Sequence, residues 1–149
     1  MAVATVAAAS PALTPARETH RWDHRPGVER TGWKVGQKVN ATGRARIAYY
    51  MAGLQESGLN RWVVGDGGLA RGTHQLHPEW GSLPQRLNVS YTARWFYRRA
   101  KQAGNRSLND ICQYVEISGN PSAYAKWEGE ARRIVARQKR KDRRIKLRR

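Results

Sequence analysis

The stretch Tyr49–Trp80, YYMAGLQESGLNRWVVGDGGLARGTHQLHPEW, decides how the chain is read. It begins as a helix. Thr42, just upstream, is a good N-cap, because its hydroxyl can accept from a backbone N–H that the first turn leaves unpaired. Ile47, Tyr50, Met51 and Leu54 then fall at i, i+3, i+4 and i+7, which makes one apolar stripe. Glu56 lies at the end of this helix, and Gly58 offers a C-cap. A carboxylate there faces the negative end of the helix dipole, so its pKa is expected to rise. The glycine-rich turn Gly65-Asp66-Gly67-Gly68 follows, then the polar run Gly72-Thr73-His74-Gln75. Trp62–Val64 and Thr73–His77 are expected to pair as a small β-ribbon around Gly67-Gly68. An acid ending an apolar helix, then a glycine loop and hydrogen-bonding side chains, suits a cleft for a polar ligand such as a sugar.

Helices return C-terminal to this stretch. Ser90 is read as the cap of a helix carrying Ala93, Phe96, Tyr97 and Ala100, which ends by Gly104. Ser107-Leu108-Asn109-Asp110 looks like a capping-box start, and Leu108, Ile111, Cys112 and Val115 repeat the helical spacing. Asn120-Pro121 supplies an N-cap and a first-turn proline for a last helix. Its stripe, Tyr124, Trp127, Ala131 and Ile134/Val135, fades into a basic tail. Toward the N-terminus, Pro11, Pro15 and Pro26, with Trp22 and Trp33 isolated among polar residues, read as an irregular arm. The expected organisation is therefore an arm over 1–40, a mainly α domain with at most a small β-ribbon over 41–135, and a basic tail over 136–149.

The charge narrows the partners. The 149 residues carry 28 Lys/Arg against 11 Asp/Glu, a formal net charge of +17. Residues 132–149 hold eleven of those cations and the single acid Asp142. Such a segment is expected to seek an anionic polymer, either a cell-wall polymer or DNA. It contains no aromatic residue, so base stacking is not indicated. No apolar run reaches the length of a membrane span, and the alanine-rich start lacks the basic region of a secretory signal. Cys112 is the only cysteine, which excludes an intrachain disulfide, and it is read as a small buried hydrophobe.

Glycoside-bond cleavage needs a protonated carboxylic acid beside the bond, obtained by setting a Glu or Asp in a partly apolar cleft. Glu56, preceded by Tyr49, Tyr50, Met51 and Leu54, fits that role. Asp66 and Glu79 are candidate second carboxylates. Ser57, Thr73, His74 and Gln75 are candidates to hold sugar hydroxyls or amides, and Trp62, Trp80 and Tyr97 to stack on sugar faces. His74 and His77, at i and i+3, lack the i, i+4 pairing of helical zinc proteases, so neither a metal nor another cofactor is expected.

The motifs in order carry a resemblance. Gln55-Glu56-Ser57-Gly58-Leu59, Gly65-Asp66, Gly72-Thr73-His74-Gln75, Trp80-Gly81, Phe96-Tyr97 and Pro121-Ser-Ala-Tyr-Ala-Lys-Trp-Glu-Gly-Glu-Ala-Arg-Arg133 resemble the lysozyme-like domain of soluble lytic transglycosylases, in the variety found in actinobacteria and their phages. The similarity covers about residues 44–135. It implies a lysozyme-like fold and cleavage of the β-1,4 bond between N-acetylmuramic acid and N-acetylglucosamine. It places the acid/base on Glu56 and the cleft-lining turn on Gly72 and Gln75, and requires no second carboxylate; Tyr124 is a further candidate for substrate binding. Where that family has a hydrophobic pair before the Gln, this chain has Thr73-His74, so a more polar cleft floor is expected. The expected setting is a phage virion, tail- or capsid-associated and in contact with other virion proteins, or the bacterial cell wall, with peptidoglycan as substrate. The alternative is a structural virion protein of the same fold without activity, its basic tail on DNA.

Overall fold

A computed structural model describes residues 25–149. Six α-helices are present among them: α1 (Arg25–Lys38), α2 (Gly43–Ser57), α3 (Leu83–Leu87), α4 (Val89–Ala103), α5 (Leu108–Glu116) and α6 (Glu128–Leu147). Two two-residue strands, β1 (Val64–Gly65) and β2 (Ala70–Arg71), form one antiparallel hairpin with Val64 opposite Arg71 and Gly65 opposite Ala70. The chain is mainly helical with a small β-ribbon, as expected. The ribbon's register differs from the reading above. Asp66–Gly68 makes a 3-10 turn that brings Ala70–Arg71 back against Val64–Gly65, and of the Thr73–His77 run only Leu76 bridges to Arg71.

Helix α2 is the axis of the fold. Thr42 accepts from the Ala45 N–H at 3.1 Å and starts it, and Gly58 at φ 66° ends it. The sequence shows one apolar stripe, yet every residue from Ala48 to Leu54 is buried. Small residues explain this, because Ala48, Ala52 and Gly53 let neighbours close over the faces that the stripe leaves open. Helices α1, α4, α5 and α6 all pack on α2. Tyr49, Tyr50, Met51, Phe96, Tyr124 and Ile134 form the fully buried centre, where each large side chain contributes roughly 1.5–3 kcal/mol by leaving water.

The irregular reading of residues 1–40 is corrected for 25–38, which are helical; Pro11, Pro15 and Trp22 lie outside the described residues. Helix α1 tolerates Pro26 because it sits in the first turn, where its missing N–H costs no helical bond. Its glycines are contacts. A Cβ on Gly32 would lie 2.3 Å from the Tyr49 ring, and one on Gly36 would lie 2.9 Å from the Tyr97 hydroxyl. Tyr50 donates to the Glu29 carbonyl at 2.7 Å and Tyr97 to that of Gly32 at 3.3 Å, which closes the seam. Gly32→Ala is therefore expected to destabilise despite alanine's better helix propensity. Overpacking should outweigh that gain by about 2 kcal/mol and lower Tm by roughly 4–8 °C. An unchanged or raised Tm in a thermal melt would refute the close-packing account.

Two further boundaries differ. Asn88, rather than Ser90, caps α4, its side chain accepting from the Tyr91 N–H at 2.9 Å. Asn120-Pro121 opens a turn and not a helix: the Asn120 side chain accepts from the Ser122 N–H, and α6 begins only at Glu128 after a 3-10 turn over Ala125–Trp127. The basic segment 136–149 is not a separate tail, because α6 runs on through it to Leu147. Asp142 clamps this helix to α1, receiving hydrogen bonds from Trp33 Nε1 and Gln37 Nε2, both at 2.7 Å, and pairing with Arg30 at 2.7 Å. Cys112 is buried, as expected, with its Sγ 3.2 Å from the Ala48 carbonyl.

Candidate active site

Glu56 occupies the last turn of α2. Gly58 turns the chain out of the helix, and its N–H bonds back to the carbonyls of Gly53 and Leu54. Leu59, at φ 61° and fully buried, donates its N–H to Gly53 O and locks the exit. The half-buried Glu56 is thereby presented at a fixed edge of the core. Tyr124 donates its hydroxyl to Glu56 Oε1 at 2.8 Å. Next to it, Trp127 Nε1 donates to Gln55 Oε1 at 2.7 Å, so the turn after α5 is pinned along the end of α2. Tyr124 is itself held by Asn109, whose Oδ1 accepts from the N–H groups of Tyr124 and Ala125.

The loop beyond α2 is built from the inside. Ser57 is buried; its hydroxyl donates to Thr73 O at 2.7 Å and accepts from the Asn60 N–H at 3.1 Å. Gly72 sits at φ 83°, where a Cβ would lie 2.1 Å from the Arg86 carbonyl oxygen, so no other residue fits. Gln75 Nε2 donates to Val63 O at 2.9 Å and to Gly72 O at 3.0 Å, bracing the hairpin from below. The buried Arg86 guanidinium donates to three carbonyls, those of Leu69, Leu76 and Gly81. Arg86 was not singled out in the sequence because a basic residue in LPQRL reads as a solvated helix position; only the surrounding carbonyls give it a task.

Among the remaining candidates, Thr73 and His74 are each 1% exposed, and Tyr97 is buried with its ring stacked 5.0 Å from Tyr49. With Ser57, these side chains serve as interior supports and do not form an open wall for a sugar ring. Asp66 lies in the hairpin turn, paired with His77 Nε2 at 3.1 Å. The two histidines thus face different carboxylates, and no cluster of three metal-ligating side chains forms among the described residues. Trp80 is partly exposed, edge-on to Trp95 at 5.5 Å, with the Arg99 guanidinium over its ring at 4.6 Å. Trp62 is half-buried under Arg61, and Glu79 sits in the exposed 3-10 turn with Trp80.

Glu116 enters the site unforeseen. It is the last residue of α5, and its side chain is 3% exposed against a fully buried His74, with His74 Nδ1 2.6 Å from Glu116 Oε1. Its trace in the sequence is faint: Glu116 continues the Leu108/Cys112 spacing, an acid on an apolar stripe. Two charged partners at this distance would be an ion pair, but burial drives both toward neutrality. It pushes the Glu116 carboxyl well above the usual range and lowers the His74 imidazole to about 3. The contact is a short hydrogen bond within a buried pair whose surroundings disfavour charge on either partner. The more polar cleft floor expected from Thr73-His74 is instead a sealed polar pair beneath the site.

Burial raises the Glu56 pKa to about 8; the neighbouring Glu116 adds to the rise, and the Tyr124 hydrogen bond and His74 oppose it. At neutral pH Glu56 is thus a carboxylic acid with one oxygen held by a phenol, at the rim of an aromatic core. Such a group can deliver a proton and, once ionised, recover one. No protein-family model and no curated protein matches the chain.

Proposed function

We propose that this protein cleaves the glycan strand of peptidoglycan as a lytic transglycosylase, with Glu56 as its single acid/base. The observation carrying the reading is a carboxyl at the end of a buried helix, its pKa raised by burial to about 8 and one oxygen held by Tyr124. Glu116 is sealed against His74, and Asp66 is paired with His77 in the hairpin turn. This favours the one-carboxylate route. Glu56 gives its proton to the bridging oxygen as the bond to the muramyl C1 breaks, and the leaving N-acetylglucosamine gains a 4-hydroxyl. The Glu56 carboxylate then takes the proton of the muramyl 6-hydroxyl as O6 bonds to C1, closing a 1,6-anhydro ring and restoring the acid. The motif order of the chain supports the substrate class, and the bacterial cell wall is the proposed place of action.

The test is digestion of purified peptidoglycan followed by mass analysis of soluble products. Release of anhydro-muramyl ends is expected. Reducing muramyl ends would replace the mechanism by hydrolysis, and no release would overturn the reading. Tyr124→Phe removes the donor that stabilises ionised Glu56. The carboxyl should then titrate above its present value of about 8, with cleavage at pH 7 reduced by about tenfold. A pH–rate profile with an unmoved basic limb would refute this role for Tyr124.

A further inference from the structure

The basic end of α6 has a shape as well as a charge. Every residue from Arg143 to Arg149 is exposed, so the helix leaves the body of the protein as a rod. At about 100° per residue, Lys139, Arg140, Lys141, Arg143, Arg144 and Lys146 point to three sides of it. The fourth side carries Gln138 and Asp142, which face Arg30, Trp33 and Gln37 of α1. Arg132, Lys139 and Arg143 form a row about 16 Å long, flanked by Arg140, over a shallow groove floored by Ile47, Val135 and Ala136. The only acid in this segment, Asp142, is neutralised by its clamp.

We propose that the α6 rod lies in the major groove of duplex DNA, independently of the glycan reading. Cations on three sides need anions on three sides. A flat membrane offers one, and the exposed Ile145 and Leu147 project to opposite sides of the helix, so no apolar face is available for a bilayer. A helix is about 10–12 Å across, and the B-DNA major groove, about 12 Å wide, is walled by a phosphate strand on each side. The outward side chains of 139–149 are nearly all Lys and Arg, with no Asn or Gln to pair with adenine, so binding rests on phosphates and tolerates any sequence.

The test is fluorescence anisotropy of the full chain with a labelled 20-base-pair DNA duplex across a salt series. The triple variant Lys139→Gln/Arg140→Gln/Arg143→Gln alters exposed residues and should leave Tm unchanged. Its log K against log salt slope should be shallower by about three, and its affinity at 0.1 M salt weaker by about a hundredfold. The charge-keeping variant Lys139→Arg/Arg140→Lys/Arg143→Lys should bind within about threefold of wild type. An RNA duplex of the same sequence, whose A-form major groove is too narrow for a helix, should bind more weakly. Wild-type affinity in the triple variant would overturn the proposal. So would equal affinity for the RNA duplex, or equal or tighter binding to poly(glycerol phosphate) or phosphatidylglycerol vesicles. Muropeptide release is measured separately and does not bear on any of these outcomes.

Discussion

Glu56→Gln is expected to reduce muropeptide release by about a thousandfold while leaving the fold intact. Glutamine keeps the shape and can still accept from Tyr124, but it has no proton to give at the glycosidic oxygen. The same substitution has a second, activity-independent signature. Burial, reinforced by Glu116, holds the Glu56 pKa at about 8 against 4.5 for an ordinary glutamate. Between these values the native state binds more protons than the unfolded one. The stabilisation is therefore full below pH 4.5 and is lost as pH rises through about 8. Wild type should lose stability across that window by an amount on the order of a few kcal/mol, and Glu56→Gln should lose less. Denaturant melts of both proteins at pH 5 and pH 9 would show it. Parallel pH dependence in the two would mean that Glu56 titrates normally, and the acid role would fall with it.

The second large effect concerns the pair beneath the site. His74→Leu should cost about 2–4 kcal/mol, because it leaves the Glu116 carboxyl buried beside a leucine that cannot satisfy it. His74 packs within 4.9 Å of the Tyr49 ring and 5.1 Å of Phe96, so the loss is felt in the centre of the core. His74→Leu/Glu116→Leu should recover more than half of the loss, since well-packed apolar residues often match or exceed a buried polar pair. The double variant removes both Glu116, which raises Glu56, and His74, whose opposing effect is the smaller of the two. The Glu56 carboxyl signal should then titrate at lower pH, by carbon-detected NMR. A double variant no more stable than the single one, with an unmoved Glu56 titration, would show that the pair is neither linked energetically nor sensed by Glu56.

What the sequence revealed follows from how locally each feature is encoded. The start and end of α2 were legible because Thr42 and Gly58 act within their own turns. So was the helical stripe of α5, whose apolar positions recur at the regular period. Helix α1 was hidden because Pro26 and an isolated Trp33 read as an irregular arm; Pro26 falls in the first turn, and Trp33 finds its partner in Asp142, distant in the chain. Glu56 was conspicuous as an acid where the helix dipole disfavours one. Glu116 occupies the same kind of position at the end of α5, yet only the meeting with His74, 42 residues away, gives it a partner. Ser57, Thr73 and His74 were identified as polar by composition, and whether they face a ligand or the interior is settled by packing, to which a local pattern is blind.

The encirclement of α2 bears on how its amide protons meet solvent. A helix covered by α1, α4, α5 and α6 has no face that can lift away without taking a neighbour with it. Its backbone amides should exchange with deuterium only when the whole domain unfolds, whereas the hairpin and the tip of α6 should exchange through small local openings. Glu56 would then lie in the last turn of the slowest-exchanging element, its proton positioned by a helix that opens only with the whole domain.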